Sequence, residues 1–507
     1  MTSYLRFGVL MLVSFALTPV IIRNLGSEEY GLWSLAFAVL GLFGLLDLGF
    51  GTGVVKWVAE SSAAGDHERR NRLLSTVAAF YVVLALAAAG GIWVLGQSYD
   101  ALFDIPAAQS DKAWALLWIL ALRSVLLSLP LSLFRGILFG EQRIYAINLI
   151  QLTAALFYGG AAWAALERGY GLLAVAWLNL AGMLVEHVAY LVVAIWRTRN
   201  LRISPSLIDL SLVREVIAFS SATGIVNIGT FVLFRMGPMI VKAHQPLQVV
   251  AVYAVGLKLV EAANMLVKQY INVLAPLAAA FGRMNDGGRI RFLLLNCTKY
   301  ALATTMLLVI PALACGRELL VLWVGPEFTG AAAILAILMA TMVISVPQML
   351  ASNVLAMTGH HRFMAIATVA AAAINVAVSL VLVRPLGLVG VALGTVSAAL
   401  VIDVFVIIRK ACAEYGLGYG QYLAGAVLPA AWPAALQFLL LWALGTRWPV
   451  ETWSALGLQW GLSSLLYAVL LWSFGLQPVE RTVVKGLLGW SGRRQSAVAV
   501  TSEGVRG

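Results

Sequence analysis

Charge is what this sequence has least of. Of its 507 residues only 11% are Asp, Glu, Lys or Arg, against 61% hydrophobic, and mean hydropathy is +0.91. A soluble domain carries roughly a quarter of its residues as charges, so a water-soluble globular protein is excluded. Cysteine is scarce as well: Cys297, Cys315 and Cys412 stand far apart, with no Cys-x-x-Cys pair and no histidine at ligand spacing. That argues against a disulfide framework and against a metal site. Catalytic motifs are missing too. There is no Walker loop, no His-Glu-x-x-His helix and no Ser/His/Asp order, so we expect no enzyme, no cofactor and no ATP-driven transport by this chain alone. The basic balance, 34 Lys and Arg to 23 Asp and Glu, is scattered through short loops rather than gathered into a basic domain. Nucleic acid is therefore not an expected partner.

What the chain does have is long apolar runs. A membrane-spanning helix needs about 20 apolar residues, and the sequence divides into about fourteen such runs. The predicted fold is an all-α polytopic membrane protein. Lys and Arg concentrate in alternate loops, as at Arg69-Arg70, Arg135 to Arg143, Arg197 to Arg202, Arg283 to Arg291 and Arg409-Lys410. The intervening loops are neutral or acidic, as at Asp100, Asp104 and Asp111. This bias puts both termini in the cytoplasm. The first run, Phe7 to Ile22, leads into Arg23 without a small-x-small cleavage site, so it reads as an uncleaved span.

The chain also repeats itself. Phe139-Gly140-Glu141-Gln142-Arg143 leads into a span, as does Thr358-Gly359-His360-His361-Arg362, and each is followed by a similar run at Gly171 and Gly387. Pro19 with Pro238, and Pro130 with Pro347, recur about 220 residues apart. Six spans per repeat is an even number, so the two halves enter the membrane in the same sense, a parallel repeat with a substrate path between lobes. The expected organisation is a six-helix lobe at 1–200, a second at 211–416, two extra helices at 417–476, and a cytoplasmic tail at 477–507.

Several charges fall inside the predicted spans. Arg123 lies in the fourth, Arg235 in a span at 215–242, and Lys258, Glu261 and Lys268 in one at 247–281. Lys258, Glu261, Met265 and Lys268 share one helical face with Asn272 close by. A charge at the bilayer centre costs about 2.5–3.5 kcal/mol, so such a stripe needs a wet cavity or a partner. Arg123, Arg235, Lys258 and Lys268 are the candidate anion-binding set, since cationic donors replace phosphate hydration and Arg offers a fixed fork. The competing explanation is structural: a Lys258–Glu261 pair, Lys268 snorkelling, and Arg123 capping carbonyls near the Pro130 kink. Asp47, Glu261, His187 and Asp403 are candidates for coupling-ion binding or charge pairing. His187 and Asp403 occupy equivalent repeat positions, yet a place toward the cytoplasmic ends also fits snorkelling polar groups. Gly49-x-Gly51-x-Gly53 follows a span rather than a strand, so close helix packing explains it better than a nucleotide loop.

Several segments carry a family resemblance. Leu25-Gly26-Ser27-Glu28-Glu29-Tyr30-Gly31 followed by Leu46-Asp47-Leu48-Gly49-Phe50 resembles the N-terminal signature of bacterial polysaccharide flippases. These belong to the multidrug/oligosaccharidyl-lipid/polysaccharide export superfamily. Val252 to Val255, Val273 to Pro276 and Gly387 to Thr395 are similar to that family's second-half signatures. The resemblance runs through roughly residues 5–475. It implies a flippase in the bacterial inner membrane, moving undecaprenyl-pyrophosphate-linked oligosaccharide from the cytoplasmic to the periplasmic leaflet by alternating access. It also implies polysaccharide polymerase and chain-length proteins as partners, with membrane lipids around it. Two other classes compete: a multidrug/cation antiporter of the same superfamily, expected to have twelve spans and an acidic cavity, and a membrane polysaccharide polymerase or ligase, for which the outer loops are too short to hold a catalytic domain.

Overall fold

The computed structural model describes residues 2–47, 50–216, 229–233, 235–284, 286–478 and 480–482. Among them there is no strand, and twelve helices are long and apolar enough to cross a membrane. The chain is a multi-pass membrane protein. In hydrocarbon every backbone amide must find its partner within the segment, which leaves the helix as the available solution for such runs.

The helices used below are α1 (Thr2–Gly44), α2 (Phe50–Ala64), α3 (His67–Gln97), α4 (Ala107–Gly140), α5 (Ile144–Glu167), α6 (Leu172–Arg197) and α7 (Gly237–Lys242). After them come α8 (Leu247–Arg283), α9 (Gly287–Val324), α10 (Ala331–Met357), α11 (His361–Leu386), α12 (Leu388–Glu414), α13 (Tyr419–Arg447) and α14 (Trp453–Gly475). The expected count of about fourteen spans differs from twelve for identifiable reasons. The first two expected spans run together in α1, which is broken at Gly26 (φ 82°, ψ 169°), a conformation open to glycine. Of the expected span at 215–242, residues 217–228 and 234 lie outside the described residues.

The chain divides into two compact units: residues 1–255 with 376–391, and residues 256–375 with 392–507. In the first unit two apolar clusters form. One gathers Leu35 and Val39 of α1, Ala88 and Ile92 of α3, Leu120 and Val125 of α4, and Leu180 and Met183 of α6. The other gathers Phe50 and Val54 of α2, Val77 and Tyr81 of α3, Leu129 and Leu133 of α4, and Tyr190 of α6. Close packing of α2 on α4 rests on glycines of α4: a Cβ at Gly136 would lie 2.7 Å from Val54 and one at Gly140 2.7 Å from Val58. Of the expected small-residue run, Gly51 lies at this contact, its carbonyl oxygen 3.8 Å from where a Cβ of Gly136 would sit, and Gly49 lies outside the described residues.

The linker after α6 is bolted to α3. Arg70, 2% exposed, donates to the Arg199 carbonyl at 2.8 Å, and Asn71 donates to the Asn200 carbonyl at 2.8 Å. Arg69 pairs with Glu215 at 3.2 Å, and Arg72 lies 3.7 Å from Asp209. Half-buried Asp209 has its carboxyl held below the ordinary range, first by the Ser211 hydroxyl and amide and then by Arg72. In the second unit the segment after α14 is held through Glu480, which accepts from Lys299 of α9.

Candidate functional site

The eight candidate residues divide evenly between the units. Asp47, Arg123, His187 and Arg235 belong to the first; Lys258, Glu261, Lys268 and Asp403 belong to the second.

In the first unit the polar side chains sit where the two apolar clusters meet. Along α6, Met183 belongs to one cluster and Tyr190 to the other, with Glu186 and His187 between them. Along α4 the same change of cluster falls between Val125 and Leu129, with Ser128 between. Just before it, residues Leu122–Leu127 form a π-helical turn that contains Arg123. Such turns insert an extra residue and re-aim side chains, and they are frequent at functional sites.

Arg123 donates to the Ser124 hydroxyl at 3.1 Å, and its guanidinium lies 5.6 Å from the centre of the Phe37 ring. Its Nε is buried with no hydrogen-bond partner among the described residues. Tyr158 and Glu186 are the groups of opposite character in its field. The carbonyl-capping alternative finds no hydrogen bond from Arg123 to a backbone carbonyl among the described residues. His187 is buried, not at a rim: its Nδ1 lies 3.0 Å from the Met183 carbonyl and its Nε2 3.3 Å from the Ser128 hydroxyl. The snorkelling alternative for His187 is therefore corrected. Asp47 is half-buried and accepts from the Tyr81 hydroxyl at 2.6 Å.

Sequence reasoning did not nominate the group that organises this belt. Glu186 Oε1 accepts from Tyr190 at 2.9 Å and from Gln151 of α5 at 3.1 Å, and the Gln151 carbonyl oxygen in turn accepts from Arg6 of α1 at 2.7 Å. The Glu186–Tyr190 spacing of four was a readable helical signal. Gln151 and Arg6, from two other helices, were not readable. Arg235 is exposed, immediately before α7.

In the second unit Lys258 and Glu261 are half-buried on α8 and electrostatically paired, whereas Met265 and Lys268 further along are exposed. The side chain of Asn272 lies outside the described residues. Asp403 is half-buried within a π-helical stretch of α12, Ala399–Ile408, and makes no hydrogen bond or ion pair among the described residues. No group of three or more His, Cys, Asp or Glu able to hold a metal occurs among the described residues.

The comparison with known families decides the relationship. The profile described as "Polysaccharide biosynthesis protein" matches residues 4–281, more than half the chain. The chain belongs to this polysaccharide biosynthesis family of flippases, within the multidrug/oligosaccharidyl-lipid/polysaccharide superfamily. Among curated proteins no sequence matches it. Among solved structures it resembles a lipid II flippase, MurJ, in an inward closed conformation (TM-score 0.68, 12% identity, 92% of this chain and 96% of that one). It is similar also to a multidrug resistance MATE transporter of the same superfamily in an inward-facing conformation (TM-score 0.67, 16% identity, 80% and 94%). An outward-facing MATE structure is a further match (TM-score 0.56, 16% identity, 82% and 94%). At these identities the likeness is one of fold. The families it joins are transporters and flippases rather than enzymes.

Proposed function

We propose that the protein moves an undecaprenyl-pyrophosphate-linked oligosaccharide across the bacterial cytoplasmic membrane, from the inner to the outer leaflet, by alternating access. The observation that carries this reading is Arg123. It is a cation held inside a membrane span, with one buried N–H unpartnered among the described residues and an aromatic ring beneath it. A pyrophosphate oxygen supplies what that guanidinium lacks, because Arg cannot shed its proton to escape the bilayer. Arg235, Lys258 and Lys268 complete the proposed anion-binding set. Asp47, Glu261, His187 and Asp403 are the proposed coupling or pairing groups, and polysaccharide polymerase and chain-length proteins the proposed partners. The Lys and Arg bias of the loops supports cytoplasmic termini.

The multidrug-antiporter reading is compatible with the fold, and the half-buried carboxyl of Asp403 is the observation that favours it. Translocation of a pyrophosphate-linked oligosaccharide lipid in vesicles separates the two. We expect movement by wild type under a pH or Na⁺ gradient, and loss of movement in Arg123→Ala and Lys258→Ala with insertion intact. Transport of a cationic dye with no movement of the lipid would establish the antiporter instead.

A further inference from the structure

We propose that the joined ends of α5 and α6 form a binding site for an anionic phospholipid, its phosphate held by Arg197, Arg199 and Arg202. Aromatic residues set the depth of this site. On α6 the exposed Trp177 and Trp196 stand nineteen residues apart, which at about 1.5 Å per residue is about 28 Å, close to the thickness of a hydrocarbon core. On α5 the exposed Tyr145 and Trp163 stand eighteen residues apart, about 27 Å. Between these rings each helix carries an exposed apolar stripe: Val185, Val188, Val192 and Ile195 on α6, and Leu149, Leu156 and Phe157 on α5. The two helices pack side by side, so closely that a Cβ at Gly182 would lie 2.9 Å from Tyr158. Arg143, just before α5, donates to the Arg197 carbonyl at the end of α6 at 3.2 Å, so Tyr145 and Trp196 belong to the same end of the pair. Such rings gather at the membrane–water boundary, which puts the residues after Trp196 in the head-group layer.

Those residues are fixed by their backbone, and their cations are left over. Besides the bond from Arg143, the Arg199 carbonyl accepts from Arg70 and the Asn200 carbonyl from Asn71, and the Ser204 amide donates to the Ser75 hydroxyl at 3.2 Å. Thr198 is buried, and Leu201 and Ile203 pack on the second apolar cluster. Arg197, Arg199 and Arg202 alternate with them and are exposed. The Arg197 guanidinium lies 4.4 Å from the centre of the Trp196 ring. Acids at this end of the unit are already engaged: Glu141 by Arg143, Glu215 by Arg69 and Asp209 by Arg72. None of the three cations has an acidic partner among the described residues. A phosphodiester whose acyl chains lie along the α5 and α6 stripes supplies the missing anion and covers apolar surface at once. A soluble phosphate ester would do only the first. Holding the backbone in advance also lowers the ordering cost of binding.

The test is titration of the full-length protein in detergent with phosphatidylglycerol and, separately, with phosphatidylcholine of the same chains. Binding is read by native mass spectrometry and by quenching of tryptophan fluorescence with brominated chains. Wild type should prefer phosphatidylglycerol. Arg197→Gln with Arg199→Gln should weaken that binding by roughly 25-fold, two cations at about fivefold each, and leave phosphatidylcholine binding unchanged. Arg362→Gln with Arg409→Gln removes the same charge from exposed residues of the second unit and should stay near wild type. Trp196→Phe keeps every cation and should lose part of the quenching by brominated phosphatidylglycerol. Equal binding of the two lipids by wild type, or an equal loss in the two double variants, overturns the site. Quenching in Trp196→Phe that matches wild type overturns its location. Full competition by glycerophosphoglycerol, the head group without chains, assigns the cations to a soluble phosphate ester and overturns the lipid. None of these readouts involves translocation, so the result stands apart from the proposed function.

Discussion

Glu480 is the residue where a single change should be felt most clearly in stability. Its carboxylate oxygens accept from Lys299 and from the Tyr300 hydroxyl, each at 2.5 Å, and from the Gln477 amide at 2.6 Å. The Lys299 and Glu480 side chains are 3% and 11% exposed, so neither charge can turn to water when the other is removed. Breaking a buried pair from one side costs about 3–5 kcal/mol, far more than an exposed ion pair contributes. Glu480→Ala should therefore lower the midpoint of thermal unfolding in detergent, read by tryptophan fluorescence, by several degrees. The double change Lys299→Met with Glu480→Leu should recover most of that loss, because it leaves no stranded charge. The pH dependence has a definite sign. Burial by itself would raise the Glu480 carboxyl. The bonds from Lys299, Tyr300 and the Gln477 amide, with the Lys299 charge, outweigh burial and hold it below the ordinary 4.5. A group depressed on folding contributes stability above its ordinary range and loses it as pH falls through the folded value. Wild type should thus lose midpoint on acidification below about 4.5, and Glu480→Gln should show less of that loss. A wild-type midpoint for Glu480→Ala at neutral pH would refute the reasoning.

Three other changes probe different parts of the fold. Gly31→Ala would place a Cβ 2.0 Å from the Leu247 carbonyl oxygen, a backbone atom that cannot swing away. It should destabilise by about 1–3 kcal/mol or more and reduce the yield of monodisperse protein. Arg70→Met removes the donor to the Arg199 carbonyl, and a hydrogen bond from a charged group contributes about 1.5–3 kcal/mol. Limited trypsin digestion should then cut faster at Arg199 and Arg202, and an unchanged rate would count against a linker bolted to α3. Tyr81→Phe deletes the hydroxyl that Asp47 accepts from, at a cost of about 1–3 kcal/mol if that donor is not replaced. Its readout is the thermal midpoint set beside Asp47→Ala and the double change, whose losses should not add if the pair acts as a unit.

Much of the architecture was legible because membrane spans are a one-dimensional signal. Length and hydropathy are properties of a segment alone, so an all-α multi-pass chain could be read without knowing any contact. The signature around Gly26 and Gly31 was likewise readable, though not its physical content. Gly26 breaks α1, which joined two expected spans, and Gly31 lets the Leu247 backbone approach. The charges inside spans were also visible as anomalies, and Arg123 and His187 were named from hydropathy alone.

Partners are another matter, because they come from different helices and no spacing in the sequence records which helix lies beside which. Tyr81 beside Asp47, Ser128 beside His187, and Arg6 reaching Glu186 through Gln151 all required the packed structure. Tertiary structure also distinguished residues that the sequence treats alike. His187 proves buried and satisfied, Asp403 half-buried without a bonded partner among the described residues, and Lys268 exposed on the same helix as half-buried Lys258. By itself the sequence determined the solvent of this protein, through the cost of placing charge in hydrocarbon. Only the tertiary structure decided which charges neutralise one another, because that depends on distances between helices rather than along them.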